Sequence, residues 1–237
     1  MSLKSLHAEF KKAADPERAA LLARYFKTGK GEYAEGDKFL GLTVPAVRLL
    51  AKKYKDLPLA DIKALLASKW HEERACSLML LGENFRKAAP AARKNIYKFY
   101  LRSTRSINNW DLVDMSAPGI VGGWLKDKSR EPLYGLAGSK LVWERRIAIL
   151  ACFNFIKDGE SGDALAIARR LLGDDHDLIH KAAGWMLREI GNRCSEKVLL
   201  DFLEANYARL PRTTLRYAIE KFPPGKRKAL LAGNFTS

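Results

Sequence analysis

Cysteine is scarce in this chain of 237 residues, which holds three: Cys76, Cys152 and Cys194. No two of them share a CxxC spacing. An odd, scattered set excludes a disulfide framework and a zinc ribbon, and predicts reduced thiols in helical core settings with no metal site. Long apolar runs are missing too, for none reaches the ~20 residues that a membrane span needs. The opening Met1-Ser2-Leu3-Lys4-Ser5-Leu6 lacks the apolar stretch of a secretion signal. The expectation is a cytoplasmic protein without a membrane partner. Strand-like alternation is also rare, which argues against a sheet protein.

Acidic residues are the minority sign, with 27 Asp and Glu against 42 Lys and Arg and a formal charge of +15. Such an excess repels itself in a compact fold, so a polyanionic partner explains it best. Nucleic acid is the leading candidate, because neutralising phosphates releases condensed counterions. Hydrophobic residues make up 47% of the chain, enough for a folded core.

Helical periodicity dominates. Asp15-Pro16 and Thr43-Val44-Pro45 both read as helix starts, with Thr43 or Val44 at the second cap. Between them, Thr28 to Asp37 (TGKGEYAEGD) breaks the pattern as a plain loop or a short projecting hairpin. Further breaks fall near Leu57-Pro58, Ala89-Pro90, Asn108-Asn109, Ser129 to Pro132, Asp158 to Gly162, Gly173 to Asp175 and Leu210-Pro211. Pro223-Pro224-Gly225 is expected to close the regular part. No linker divides the chain, so residues 1–237 read as one domain.

Three segments share a plan, a cation followed by small and apolar residues: Glu73-Arg74-Ala75-Cys76-Ser77-Leu78, Arg145-Arg146-Ile147-Ala148-Ile149-Leu150 and His180-Lys181-Ala182-Ala183-Gly184-Trp185. The last two cations stand roughly 35 residues apart and the first two about twice that, periods in the range of helical repeats. The expected fold is all-α, a HEAT-like repeat solenoid whose recurring cations line a concave basic groove.

Candidate chemistry lies where aromatics meet charges at helical spacing. Trp110 and Asp114 are four apart and share a helix face, with Asp111 near the helix start. Trp143 and Arg146 share a face, as do Gly184 or Trp185 and Arg188. An indole can pack on a nucleotide's sugar or base, and a guanidinium can pair with phosphate. Each also has a structural reading: the tryptophans as core, Asp111 as a cap or first-turn carboxylate, Asp114 as the partner of an arginine. A carboxylate in a cationic groove would repel phosphate and needs another use.

Taken together, these segments resemble the AlkD-type DNA alkylation repair glycosylases. Asn109-Trp110-Asp111-Leu112-Val113-Asp114 resembles their WDxVD segment, Trp143-Glu144-Arg145-Arg146-Ile147-Ala148 their W-x-x-R-x-A helix, and Lys181-Ala182-Ala183-Gly184-Trp185-Met186-Leu187-Arg188-Glu189 their KAxGWxLRE helix. Ala23-Arg24-Tyr25-Phe26-Lys27 and Phe39-Leu40-Gly41-Leu42-Thr43-Val44-Pro45 fit as well. The resemblance implies a HEAT-like enzyme, without cofactor or metal, that removes cationic alkylated purines such as 3-methyladenine and 7-methylguanine from double-stranded DNA; a solenoid engaging DNA alone is expected to be a monomer. Asp114 would be its catalytic carboxylate, with Trp110 and Trp185 against the lesion nucleotide's deoxyribose and backbone. Arg146 would hold phosphate near the lesion, and Arg188, Arg145, Arg74, Lys181, Thr43 and Tyr25 complete the implied DNA-contacting set. The alternative is a non-catalytic binder of branched or damaged DNA, which a projecting Thr28 to Asp37 insert near Lys30 and Lys38 would suit.

Overall fold

The computed structural model describes residues 1–235; Thr236 and Ser237 of the expected single domain lie outside them. The described residues form helices and no strand, so the fold is all-α. Tertiary contacts gather into two compact units, Met1–Ser116 and Ala117–Ser237. Their boundary falls within a helix, not at a linker.

The first unit holds α1 (Leu3–Lys12), α2 (Pro16–Tyr25), α3 (Val44–Lys53), α4 (Leu59–Leu66), α5 (His71–Lys87), α6 (Pro90–Arg102) and the start of α7 (Trp110–Ala117). The expected starts occur where side chains satisfy the first amides. Asp15 accepts from the Arg18 N–H ahead of Pro16, and Thr43 accepts from the Ala46 N–H. Helix α5 packs on α3, α4 and α6. Its buried face includes Leu78, Leu81 and Phe85.

Thr28 to Asp37 is a folded-back loop of turns and not a projecting hairpin. The Ala34 and Gly36 amides donate to the carbonyls of Lys27 and Thr28, Ala34 is buried, and an isolated bridge joins Lys38 to Trp70. Apolar content too low for a strand does not stop a loop from being anchored at its end, and Asp37 supplies that anchor, as shown below.

The second unit continues α7 through a π-helical turn at Pro118–Gly122 into α8 (Gly123–Leu125), then α9 (Glu131–Ala137), α10 (Val142–Ala151), α11 (Phe153–Ile156), α12 (Gly162–Arg170), α13 (Asp177–Arg193), α14 (Glu196–Asn206), α15 (Arg212–Ala218) and α16 (Pro224–Leu231). Helix α13 is central, packing against α10, α14 and α15. Gly184 makes the α13–α15 approach possible. A Cβ there would lie 2.6 Å from the Thr214 carbonyl oxygen and 2.5 Å from the Tyr217 Cβ.

Pro223-Pro224-Gly225 does not close the regular part; it opens α16, with Pro223 at the cap and Pro224 in the first turn. A proline lacks an N–H that the first turn would leave unpaired anyway, and its φ already suits a helix. Cys76 and Cys152 are buried and Cys194 is half-buried, all three as free thiols. Burial pushes the Cys76 thiol up to about 12, so it is un-ionised at neutral pH. No helix among the described residues is long and apolar enough to cross a membrane.

Candidate functional site

In the first unit, the start of α7 carries the segment Asn109-Trp110-Asp111-Leu112-Val113-Asp114. Asn109 is fully buried, and its side-chain oxygen accepts from the Trp110 amide at 2.9 Å. Leu112 and Val113 point into the core and are also fully buried. That choice of face leaves Trp110, Asp111 and Asp114 half-buried. Trp110 stacks on Phe26, with centroids 5.2 Å apart and planes at 21°, while the exposed Tyr25 meets it edge-on at 6.1 Å. Trp110 is therefore neither plain core nor a free platform, since Phe26 supports it. Asp114 lies one turn along the same helix, and its charge acts on the buried Tyr100 phenol. Burial raises the Tyr100 pKa, its bond to Ser116 opposes the rise, and Asp114 adds to it.

Asp111 lies in the first turn of α7, as the sequence reading allowed. Its Oδ2 pairs with His71 Nε2 at 2.8 Å, and the other ring nitrogen of His71 meets Asp37 Oδ2 at 3.0 Å. Arg74 donates to Asp37 Oδ1 at 2.5 Å, and the Asn109 amide reaches Asp37 Oδ2 at 3.4 Å. Burial alone would lower the His71 pKa. The hydrogen bonds to Asp111 and Asp37 and their negative charges outweigh it and raise the pKa to about 9. Burial alone would raise that of Asp37, and the bond from His71 and the charge of Arg74 reverse it, leaving it below the ordinary carboxylate value.

Beside this network, Glu72 is buried and accepts three backbone amides, from Leu40 at 2.9 Å, Gly41 at 2.7 Å and Leu42 at 3.2 Å. Gly41 sits at φ 91°, and a Cβ there would lie 2.1 Å from the Asp15 carbonyl oxygen, so no other residue fits this cradle. A cavity of about 150 Å³ opens here, walled by Phe26, Phe39, Val44, His71, Asp111 and Met115. Among the described residues no group of three His, Cys, Asp or Glu side chains is arranged to hold a metal ion.

In the second unit, Trp143 is core, at 4% exposure. Arg146 is buried, and its Nη1 donates to the Leu178 carbonyl at 2.5 Å. Trp185 is half-buried, with Phe153 at 6.3 Å and its indole N–H donating to Glu189 at 3.2 Å. Arg188 pairs with Glu220, and Lys181 with Asp177 at 2.7 Å. Arg145 is forked onto Asp174, with Nε at 2.5 Å and Nη2 at 3.2 Å.

Of the cations expected to meet DNA, Arg74, Arg145, Lys181 and Arg188 each pair with a carboxylate of the chain. Arg74 is the clearest departure from the expected set, being 4% exposed and locked by Asp37 and the Ser68 carbonyl. A guanidinium so held cannot meet a phosphate without giving up its bonds to Asp37 and the Ser68 carbonyl and leaving buried Asp37 short of one charged partner. Thr43 and Tyr25, by contrast, are exposed.

The reason for this lies in a repeat more specific than the cation pattern. Ser68-Lys69-Trp70-His71-Glu72-Glu73-Arg74 and Ser139-Lys140-Leu141-Val142-Trp143-Glu144-Arg145 share S-K-x-x-x-E-R. Each serine oxygen accepts from the amide two residues on, Trp70 at 3.1 Å and Leu141 at 3.0 Å. The same hydroxyl donates to the glutamate five residues on, Glu73 or Glu144. The arginine, fourth in its helix, reaches back to the serine carbonyl, at 3.0 Å from Arg74 and 2.9 Å from Arg145. Asp174 and His180 repeat both ends of the device: Asp174 Oδ1 accepts from the His176 amide at 2.9 Å, and His180 Nε2 bonds the Asp174 carbonyl at 2.5 Å. These residues tie helix entries together. The sequence signal was legible, because a serine stands six residues before each arginine and a glutamate directly precedes it.

The described residues are all-helical, and likeness to known proteins gives the family. A family model described as DNA alkylation repair enzyme matches residues 6–222. The chain belongs to this DNA alkylation repair family. Among solved structures, it is similar to a predicted DNA alkylation repair enzyme from Enterococcus faecalis, with 17% identity and a TM-score of 0.69 over 89% of this chain and 97% of that one. At that identity the likeness shows the shared fold. No curated protein matches the sequence.

Proposed function

We propose that the chain is a DNA glycosylase that hydrolyses the N-glycosidic bond of cationic N3- and N7-alkylated purines in duplex DNA. The observation that carries this reading is the half-buried Trp110 and Asp114, one turn apart on α7, in a chain of the alkylation repair family. Alkylation at a ring nitrogen leaves the purine positively charged, so the C1′–N bond breaks with the base departing neutral and needing no general acid. Positive charge then develops on the sugar, in an oxocarbenium-like transition state. The Asp114 carboxylate opposes that charge and orients the water whose oxygen bonds to C1′ as its proton passes to solvent. The Trp110 indole offers its electron-rich face to the cationic sugar, and Phe26 behind it limits its rotation. In the second unit the resemblance assigns the nucleotide-packing role to Trp185 and the phosphate role to Arg146.

The test is single-turnover release of 7-methylguanine and 3-methyladenine from methylated duplex DNA by wild type and Asp114→Asn. Release by wild type, with loss of at least about a hundredfold in the variant, is the expected result. No release by either protein, with tight binding to a DNA junction, would overturn the reading in favour of a branched-DNA binder.

A further inference from the structure

We infer that His71, bridging Asp37 and Asp111, is a positioning residue that sets the Trp110–Asp114 turn of α7 for chemistry. This rests on the reading that Trp110 and Asp114 act at the lesion.

Three observations carry it. The first is a closed circuit of contacts. Trp110 stacks on Phe26, Phe26 on Phe39 at 5.0 Å, and Phe39 on the His71 ring at 4.6 Å, while His71 Nε2 bonds Asp111, the residue after Trp110. The indole is thus held through its face and through its backbone neighbour by the same imidazole. The second is chemical. A neutral imidazole has one N–H, yet both ring nitrogens lie within hydrogen-bond distance of carboxylate oxygens. Both must donate, so the ring is an imidazolium, and its charge fixes the direction of both bonds. The third is a departure from the internal repeat. Ser68, Glu73 and Arg74 match Ser139, Glu144 and Arg145, but Val142 stands where His71 does. Helix entry therefore does not need this histidine. The remaining charged groups around it are Arg74 on Asp37, Glu72 on the same helix, and Arg18 across the cavity.

The test has two arms. In wild type, the His71 ring signal is followed by NMR from pH 6 to 10 together with the Trp110 indole N–H, assigned with His71→Gln and Trp110→Phe. Titration of His71 near pH 9, with the Trp110 signal moving in step, is expected. Titration near the ordinary 6.5, or a Trp110 signal flat through the His71 transition, would overturn the inference. In the second arm, single-turnover excision and duplex affinity are measured for His71→Gln and Asp37→Asn, with circular dichroism to verify folding. The expected result is a rate loss of about tenfold, less than the roughly hundredfold that a misplacement of about 1 Å can cost, with affinity changed less than about twofold. Unchanged excision in folded His71→Gln would overturn positioning while a dead Asp114→Asn kept the glycosylase reading. If wild type released no base, that reading would fall, and the NMR arm alone would decide whether His71 sets this turn.

Discussion

The two units treat charge differently. In the first, four consecutive residues at the start of α5, His71 to Arg74, are all buried, and Asp37 joins them at 1% side-chain exposure. In the second, the equivalent arginine, Arg145, keeps 18% of its side chain in solvent, and Arg188 keeps 16%. Both arginines of the repeat do the same job at their helix entries. The difference is that the first unit has surrounded its copy with a second layer of ionised groups, and that layer runs to the residue beside Trp110. Buried ionised groups seldom raise stability over an apolar core, and breaking one partner of such a group is costly. Their presence next to the candidate catalytic turn is better understood as orientation than as adhesion.

The sharpest way to break this comparison is to remove the matched arginines. Arg74→Met should cost about 3–5 kcal/mol, because Asp37 is left buried and short of a charge partner. Arg145→Met should cost about 1–2 kcal/mol, since Asp174 lies beside a part-exposed site. Equal losses in urea unfolding would show that the added layer carries no weight.

Next in size is the pH dependence of stability. The folded pKa of His71 is about 9, raised from 6.5, so its contribution is fully present below pH 6.5 and is lost as pH rises through 9. That contribution is on the order of 3 kcal/mol by linkage, and His71→Gln should flatten the profile between those limits. A wild-type stability that held level from pH 6.5 to 9.5 would contradict the imidazolium.

The second unit offers its own test, through packing and not charge. Gly184→Ala should destabilise by about 1–3 kcal/mol, because the new methyl meets the α15 backbone at Thr214. A neutral change would mean that α13 and α15 can separate cheaply. The smallest effect concerns partners. Lys181→Ala should reduce the slope of log affinity for duplex DNA against log salt by about 1, whereas Arg74→Met should leave that slope unchanged. An altered slope in Arg74→Met would return that residue to the DNA-contacting set.

Much of this was written in the chain itself. The Asp15 and Thr43 caps, the helical breaks, and the placing of Trp110 and Asp114 on one face follow from local rules of amide satisfaction and a 3.6-residue period, which need no distant partner. The basic excess and the segments resembling the repair family likewise stood in the order of residues. What local rules could not decide was the fate of each charge. Arg74 and Lys181 look alike in a repeat alignment, yet one is internal and the other faces Asp177 at a half-exposed site. The loop from Thr28 to Asp37 has the composition of a free insert, and only the meeting of Asp37 with His71 and Arg74 turns it into a support for α7. The ionisation of His71 also depends on carboxylates 34 and 40 residues away in the chain. Electrostatic energy depends on distance and burial in space, so sequence determined the helices and their chemistry, and tertiary structure alone determined which charges are held inside and which remain for a partner.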